Sequence, residues 1–97
     1  MTRGATDVGE LCVMAVVSNT RGLHARAAAK FVKLAETFKA DVTVAKDDMC
    51  VSARSIMGLM MLAATQGSTV RLCGRGIDAI AALEALTDLV KRKFDEE

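Results

Sequence analysis

Four short apolar runs alternate with three segments of helical spacing, and this order constrains the fold more than any other feature of the chain. Leu11 to Ser18 is nearly continuous in apolar residues and predicts a strand. Gly22-Leu23-His24 breaks that pattern and opens a helix to about Phe38. Phe31, Leu34, Ala35 and Phe38 recur there at helical spacing, with Lys30, Lys33, Glu36 and Lys39 on the wet side. Asp41 to Ala45 alternates, with Val42 and Val44 on one face; Lys46-Asp47-Asp48 predicts a hairpin turn, and Met49 to Ala53 the returning strand. Ser55 is placed to cap a short helix from Ile56 to Ala64, closed by Gln66-Gly67. Ser68 to Cys73 predicts a fourth strand, followed by the loop Gly74-Arg75-Gly76. Asp78 is placed to cap a last helix reaching about Lys93, whose buried stripe is Leu83, Leu86, Val90 and Phe94.

The order is therefore β-α-β-β-α-β-α, which predicts an α+β fold: an antiparallel sheet with helices covering one face to bury three apolar stripes. A chain of 97 residues holds one core, not two. Residues 1–10 are polar and predict a loose N-terminal tail, with the folded domain over 11–97.

Composition removes several function classes. Lys and Arg total 13 against 12 Asp and Glu, so the net charge of +1 disfavours a binder held by phosphate contacts to nucleic acid. An RNA-recognition sheet shares part of this element order, but it needs aromatic rings on its strands. The three aromatics, Phe31, Phe38 and Phe94, all fall on or at the ends of helices. The run Leu11 to Val17 is too short for a membrane span of about 20 residues. The segment before it carries Asp7 and Glu10, and no small-residue cleavage site follows. The expected location is the cytoplasm. Cys12, Cys50 and Cys73 form no C-x-x-C pair, and their odd number predicts buried free thiols rather than a disulfide framework or a zinc site.

Two segments carry chemistry. Gly22-Leu23-His24-Ala25-Arg26 places the only histidine at a strand-to-helix junction. Backbone N–H groups at a helix start favour an anion and disfavour an imidazolium, so a neutral ring there keeps a nucleophilic nitrogen. A phosphoryl group on that nitrogen would lie among backbone donors, with Arg26 as a charge-assisted partner. A surface histidine with no role is the competing reading of the same residues. With no second His and no Cys or carboxylate at ligand spacing, no metal or other cofactor is called for. The second segment, Arg54 to Leu62, is apolar almost all round and rich in Met. Its side chains either fill the core or leave a partner-docking surface exposed. Ser55 at its start is simply a cap on one reading, and on another a phosphorylation site beside that surface.

At these two segments the chain resembles the histidine-containing phosphocarrier family (HPr) of the bacterial phosphoenolpyruvate-dependent phosphotransferase system. The residues that carry the resemblance are Gly22-Leu23-His24-Ala25-Arg26 and, 31 residues after His24, Ser55-Ile56-Met57-Gly58-Leu59-Met60. It extends over roughly Leu11 to Phe94. It implies an open-faced β-sandwich with a four-stranded antiparallel sheet and three helices on one face. It implies a relay rather than a stand-alone enzyme: His24 takes a phosphoryl group on Nδ1 from enzyme I and passes it to an enzyme IIA-type protein, with Arg26 stabilising the phosphate. Ile56, Met57 and Met60 correspond to the family's docking patch, and Ser55 to the position that HPr kinase/phosphorylase modifies in some bacteria. Sugar-transport members usually carry Pro after the motif Arg. Here Ala27 follows Arg26, as in the nitrogen-related (NPr-like) members, so a nitrogen-regulatory chain is expected ahead of sugar uptake. A docking module switched by phosphorylation is the alternative of a different class.

Overall fold

The computed structural model describes residues 9–96. Its elements are β1 (Glu10–Val16), α1 (Ala25–Ala35), β2 (Asp41–Lys46), β3 (Met49–Ser52), α2 (Ile56–Met61), β4 (Thr69–Arg75) and α3 (Ala79–Lys91), followed by a single tight turn at Lys93–Asp95. The strands form one antiparallel sheet in the order β1-β4-β2-β3. The three helices cover one face and the other is open, as expected of an open-faced α+β sandwich.

Period-two alternation decides which side chains go in. Val42 and Val44 of β2 and Val70 and Leu72 of β4 face the helices and are buried, while Arg71 between them is exposed. Helix α1 meets them with Ala27, Ala28, Phe31, Val32 and Ala35, and α3 with Ala82, Leu83, Leu86, Leu89 and Val90. Each large apolar side chain removed from water contributes roughly 1.5–3 kcal/mol, which makes this interlayer contact the main favourable term.

Several boundaries differ from expectation for local reasons. The expected tail over residues 1–10 falls mostly outside the described residues, but Glu10 already pairs with Arg75 in β1. Helix α1 stops at Ala35 instead of Phe38. The Thr37 hydroxyl donates to the Leu34 carbonyl (2.7 Å), and the Thr37 and Phe38 amides bond three residues back, tightening the last turn. Helix α2 ends at Met61, and Ala63 turns with φ 54°. Helix α3 ends at Lys91, and Phe94 reaches the core by a left-handed turn (φ 56°), not as a continuation of the helical stripe.

Two side chains do other work than expected. Asp78 sits at the N-cap of α3 but makes no capping bond with its side chain. Its carboxylate accepts the amides of Lys39 (2.9 Å) and Ala40 (2.7 Å), fastening the start of α3 to the entry of β2. Those amides, Lys39 first, hold its pKa below the ordinary carboxylate value against the opposing effect of desolvation. Cys12 and Cys73 are a disulfide, not free thiols. The β1–β4 register sets them directly opposite, with Cα atoms 4.0 Å apart on the open face. Only Cys50 remains free, and it is exposed.

Candidate functional site

The site begins with a loop that must turn sharply. Gly22 adopts φ +67°, and its amide donates to the Asn19 carbonyl (3.2 Å). Its own carbonyl accepts from the His24 amide (3.0 Å) and from Asn19 Nδ2 (2.8 Å). The next residue, Leu23, donates its amide to the Ala64 carbonyl at 2.9 Å. A Cβ at Gly22 would stand 2.5 Å from that same carbonyl oxygen. Glycine is therefore required twice, by its conformation and by the close approach of backbone.

This loop delivers His24 as the N-cap of α1 (φ −80°, ψ 179°). The first-turn amides of Ala25, Arg26 and Ala27 have no carbonyl four residues back within the helix. One of them is used locally, for Arg26 N donates to His24 Nδ1 at 3.3 Å. At the opposite edge of the ring, Nε2 is hydrogen-bonded to Glu96 Oε2. An ionised carboxylate only accepts, so the pattern assigns the ring proton to Nε2 and leaves the lone pair on Nδ1. That nitrogen, aimed at a helix start, is the ring atom that could act as a nucleophile.

The surroundings suit an anion. A cleft of about 430 Å³ beside His24 is lined by Arg21, Arg26, Lys30 and Lys93, set against Asp95 and Glu96. Arg26 is exposed, and its guanidinium makes no hydrogen bond or ion pair among the described residues. Lys30 donates to the Phe94 carbonyl at 3.0 Å. Glu96 Oε1 accepts from Asn19 Nδ2 at 3.0 Å. Burial by itself would raise the Glu96 pKa; the hydrogen bonds from His24 and Asn19 outweigh it, with further help from the charge of Arg21, and hold it below the ordinary glutamate value. Among the described residues, no group of three or more His, Cys, Asp or Glu side chains is arranged to hold a metal.

The Met-rich segment resolves in favour of exposure. Ser55 caps α2, its hydroxyl accepting the Gly58 amide at 2.9 Å. Within α2 only Leu59 is fully buried, whereas Ile56, Met57 (69% exposed), Met60 and Met61 (63%) stand outside. Helix α2 packs against α1, so this apolar patch lies beside the helix whose first turn carries His24. A larger groove of about 620 Å³, between β1 and α3 and lined by Leu11, Val13, Ile80 and Leu83, involves none of these residues.

The structure thus brings together His24, Arg26 and the cation-lined cleft, and sets Ser55, Ile56, Met57 and Met60 on the neighbouring helix. Sequence reasoning missed Asn19, Lys30 and Glu96. A polar residue in an otherwise turn-forming loop was the only trace of Asn19, and nothing local marked Glu96.

Comparison with known proteins identifies the family of this chain. The family model described as "PTS HPr component phosphorylation site" matches residues 13–92. A phosphocarrier protein NPr from Shewanella violacea is 48% identical over 80 residues, covering 82% of this chain and 88% of its own. A phosphocarrier protein HPr from Neisseria meningitidis is 49% identical over 80 residues, covering 82% and 90%. The solved structure of HPr-C-His from Thermoanaerobacter tengcongensis superposes with a TM-score of 0.85 at 45% identity, covering 90% of this chain and 98% of that one. No helix among the described residues is long and apolar enough to cross a membrane. The chain belongs to the HPr family of phosphocarrier proteins of the phosphotransferase system.

Proposed function

We propose that His24 Nδ1 accepts a phosphoryl group from phosphorylated enzyme I and donates it to an enzyme IIA-type protein, so that the chain is a relay and not a stand-alone catalyst. The observation that carries this reading is the orientation of the ring: Nε2 is engaged by Glu96, while Nδ1 faces the first-turn amide of Arg26. Phosphoryl oxygens on Nδ1 meet open backbone donors there, and the Arg26 side chain is free to close over them. Incubation with enzyme I and labelled phosphoenolpyruvate should give an acid-labile, base-stable label that disappears in His24→Ala. Label surviving that substitution refutes the assignment.

The downstream chain is read as nitrogen-regulatory, with cytoplasmic location. Ala27 after Arg26 supports this, and an NPr is among the relatives, although HPr relatives are as similar. Sugar transport is the second reading, and the neighbouring genes distinguish the two: a nitrogen-regulatory locus or a sugar permease.

Ile56, Met57 and Met60 are proposed as the surface on which both partners dock, supported by their exposure next to α1. Met57→Glu places a charge in that patch and should weaken transfer from enzyme I at least tenfold, in line with the cost of desolvating a charge. Unchanged transfer would remove the patch from the interface. Ser55 is proposed as a regulatory site for HPr kinase/phosphorylase: a phosphate there would add a dianion beside the patch and remove the hydroxyl's role as cap. A module that acts by docking alone would keep its partners in His24→Ala, whereas the relay loses transfer to them.

A further inference from the structure

After α3 the chain does something a sequence of ordinary L-residues resists. Lys93, Phe94 and Asp95 adopt φ 61°, 56° and 63° in succession, none of them glycine. Each left-handed L-residue is disfavoured, and strain of this kind persists only where surrounding contacts over-determine it. Here those contacts are specific. Phe94 is fully buried, and its carbonyl accepts from Lys30 of α1. Asp95 pairs with Arg92 at 2.9 Å. The turn sends the chain back towards α1 and ends on Glu96, both of whose carboxylate oxygens are engaged: Oε2 by His24 Nε2 and Oε1 by Asn19. Asn19 is itself 2% exposed and also bonded to the Gly22 carbonyl, so one amide ties the carboxylate to the loop that presents the histidine.

We infer that this C-terminal turn is a built-in positioning device for the acceptor, with Glu96 as a positioning residue that acts through His24 and not on phosphate. The inference rests on His24 being the phosphoryl acceptor and adds a role for a residue 72 positions away. By keeping the ring proton on Nε2, Glu96 keeps the lone pair on Nδ1. In the transfer, that lone pair forms the new N–P bond as the bond from phosphorus to phosphorylated enzyme I breaks, and the electron pair of that bond stays with the donor. No proton need leave His24, so the product ring is a phosphoimidazolium carrying Nε2–H. The Glu96 carboxylate faces that positive charge from the ring edge opposite the phosphoryl group. It favours formation of the cation and, since a cationic imidazole leaves more readily than its neutral form, also favours the onward transfer. The logic is that of a carboxylate orienting a catalytic histidine. The other charged groups facing the site are Arg21, Arg26, Lys30, Lys93 and Asp95.

The test uses the full chain with Glu96→Gln, which removes the charge, and Glu96→Ala, which removes the contact. In the unphosphorylated protein, ring ¹⁵N shifts of His24 should report the Nε2–H tautomer in wild type and a tautomer mixture in both variants. In transfer from the phosphorylated protein to its acceptor, both variants should fall roughly tenfold, the effect of losing one charge-assisted hydrogen bond in a partly exposed site. Wild-type tautomer and wild-type transfer in both variants would overturn the inference and leave His24 as acceptor untouched. Loss of the tautomer preference in both variants, together with a wild-type protein that takes no phosphate, would instead uphold the contact and reject the acceptor reading. A variant that keeps the tautomer but loses transfer would also overturn it.

Discussion

Gly22→Ala should destabilise the fold by roughly 2–5 kcal/mol, because two penalties fall on one residue. At φ +67° an L-side chain is disfavoured by about 1–2 kcal/mol. Its Cβ would also lie 2.5 Å from the Ala64 carbonyl oxygen and 3.0 Å from Thr65 Cα. Those are backbone atoms, so nothing can rotate out of the way, and overpacking of this kind costs about 1–3 kcal/mol. The melting temperature should fall by at least about 10 °C, given a few degrees per kcal/mol in a domain of this size. The functional loss should exceed the loss of stability. Relief of the clash must push the loop away from Ala64, and Leu23 and His24 move with it. Phosphoryl acceptance measured well below the melting temperature should therefore drop at least tenfold. A melting temperature within a degree or two of wild type would show that the loop does not make this approach.

Phe94→Ala should cost about 3–5 kcal/mol, the range for emptying a fully buried aromatic site. Urea unfolding measures it directly. The informative part is what happens to His24 in the protein that remains folded. Without the ring, burial no longer holds Lys93, Phe94 and Asp95 left-handed, and the Lys30 and Arg92 contacts alone must do so. The turn should relax, Glu96 should leave the imidazole, and the ring ¹⁵N signature should match that of Glu96→Gln. Destabilisation under about 1 kcal/mol would mean that the turn is not anchored through this side chain.

The fold was legible in the sequence to the extent that it depends on local patterning. Val42-Thr43-Val44 reads as a half-buried strand, and Phe31 and Ala35 as part of a helix stripe, because period and polarity there are set by near neighbours. His24 at a helix start was legible too, since capping is a matter of a few residues. What escaped is what the register and the chain reversals bring together. Cys12 and Cys73 are 61 residues apart, and only the antiparallel pairing of β1 with β4 sets one opposite the other. Asp78 sits where a helix cap belongs, yet it serves the amides of Lys39 and Ala40, which lie 39 and 38 residues earlier. Glu96 meets His24 only through three successive conformations that Lys, Phe and Asp rarely adopt, so propensity argued against the very turn that completes the site.

The function of the chain depends on which nitrogen of which residue takes the phosphoryl group. Phosphorus-coupled ¹⁵N NMR of the ring-labelled protein, after incubation with enzyme I and phosphoenolpyruvate, reads this out in one spectrum. The predicted result is a one-bond phosphorus coupling at Nδ1 of His24, with the proton still on Nε2. Coupling at Nε2, or phosphorus bound anywhere other than His24, would contradict it.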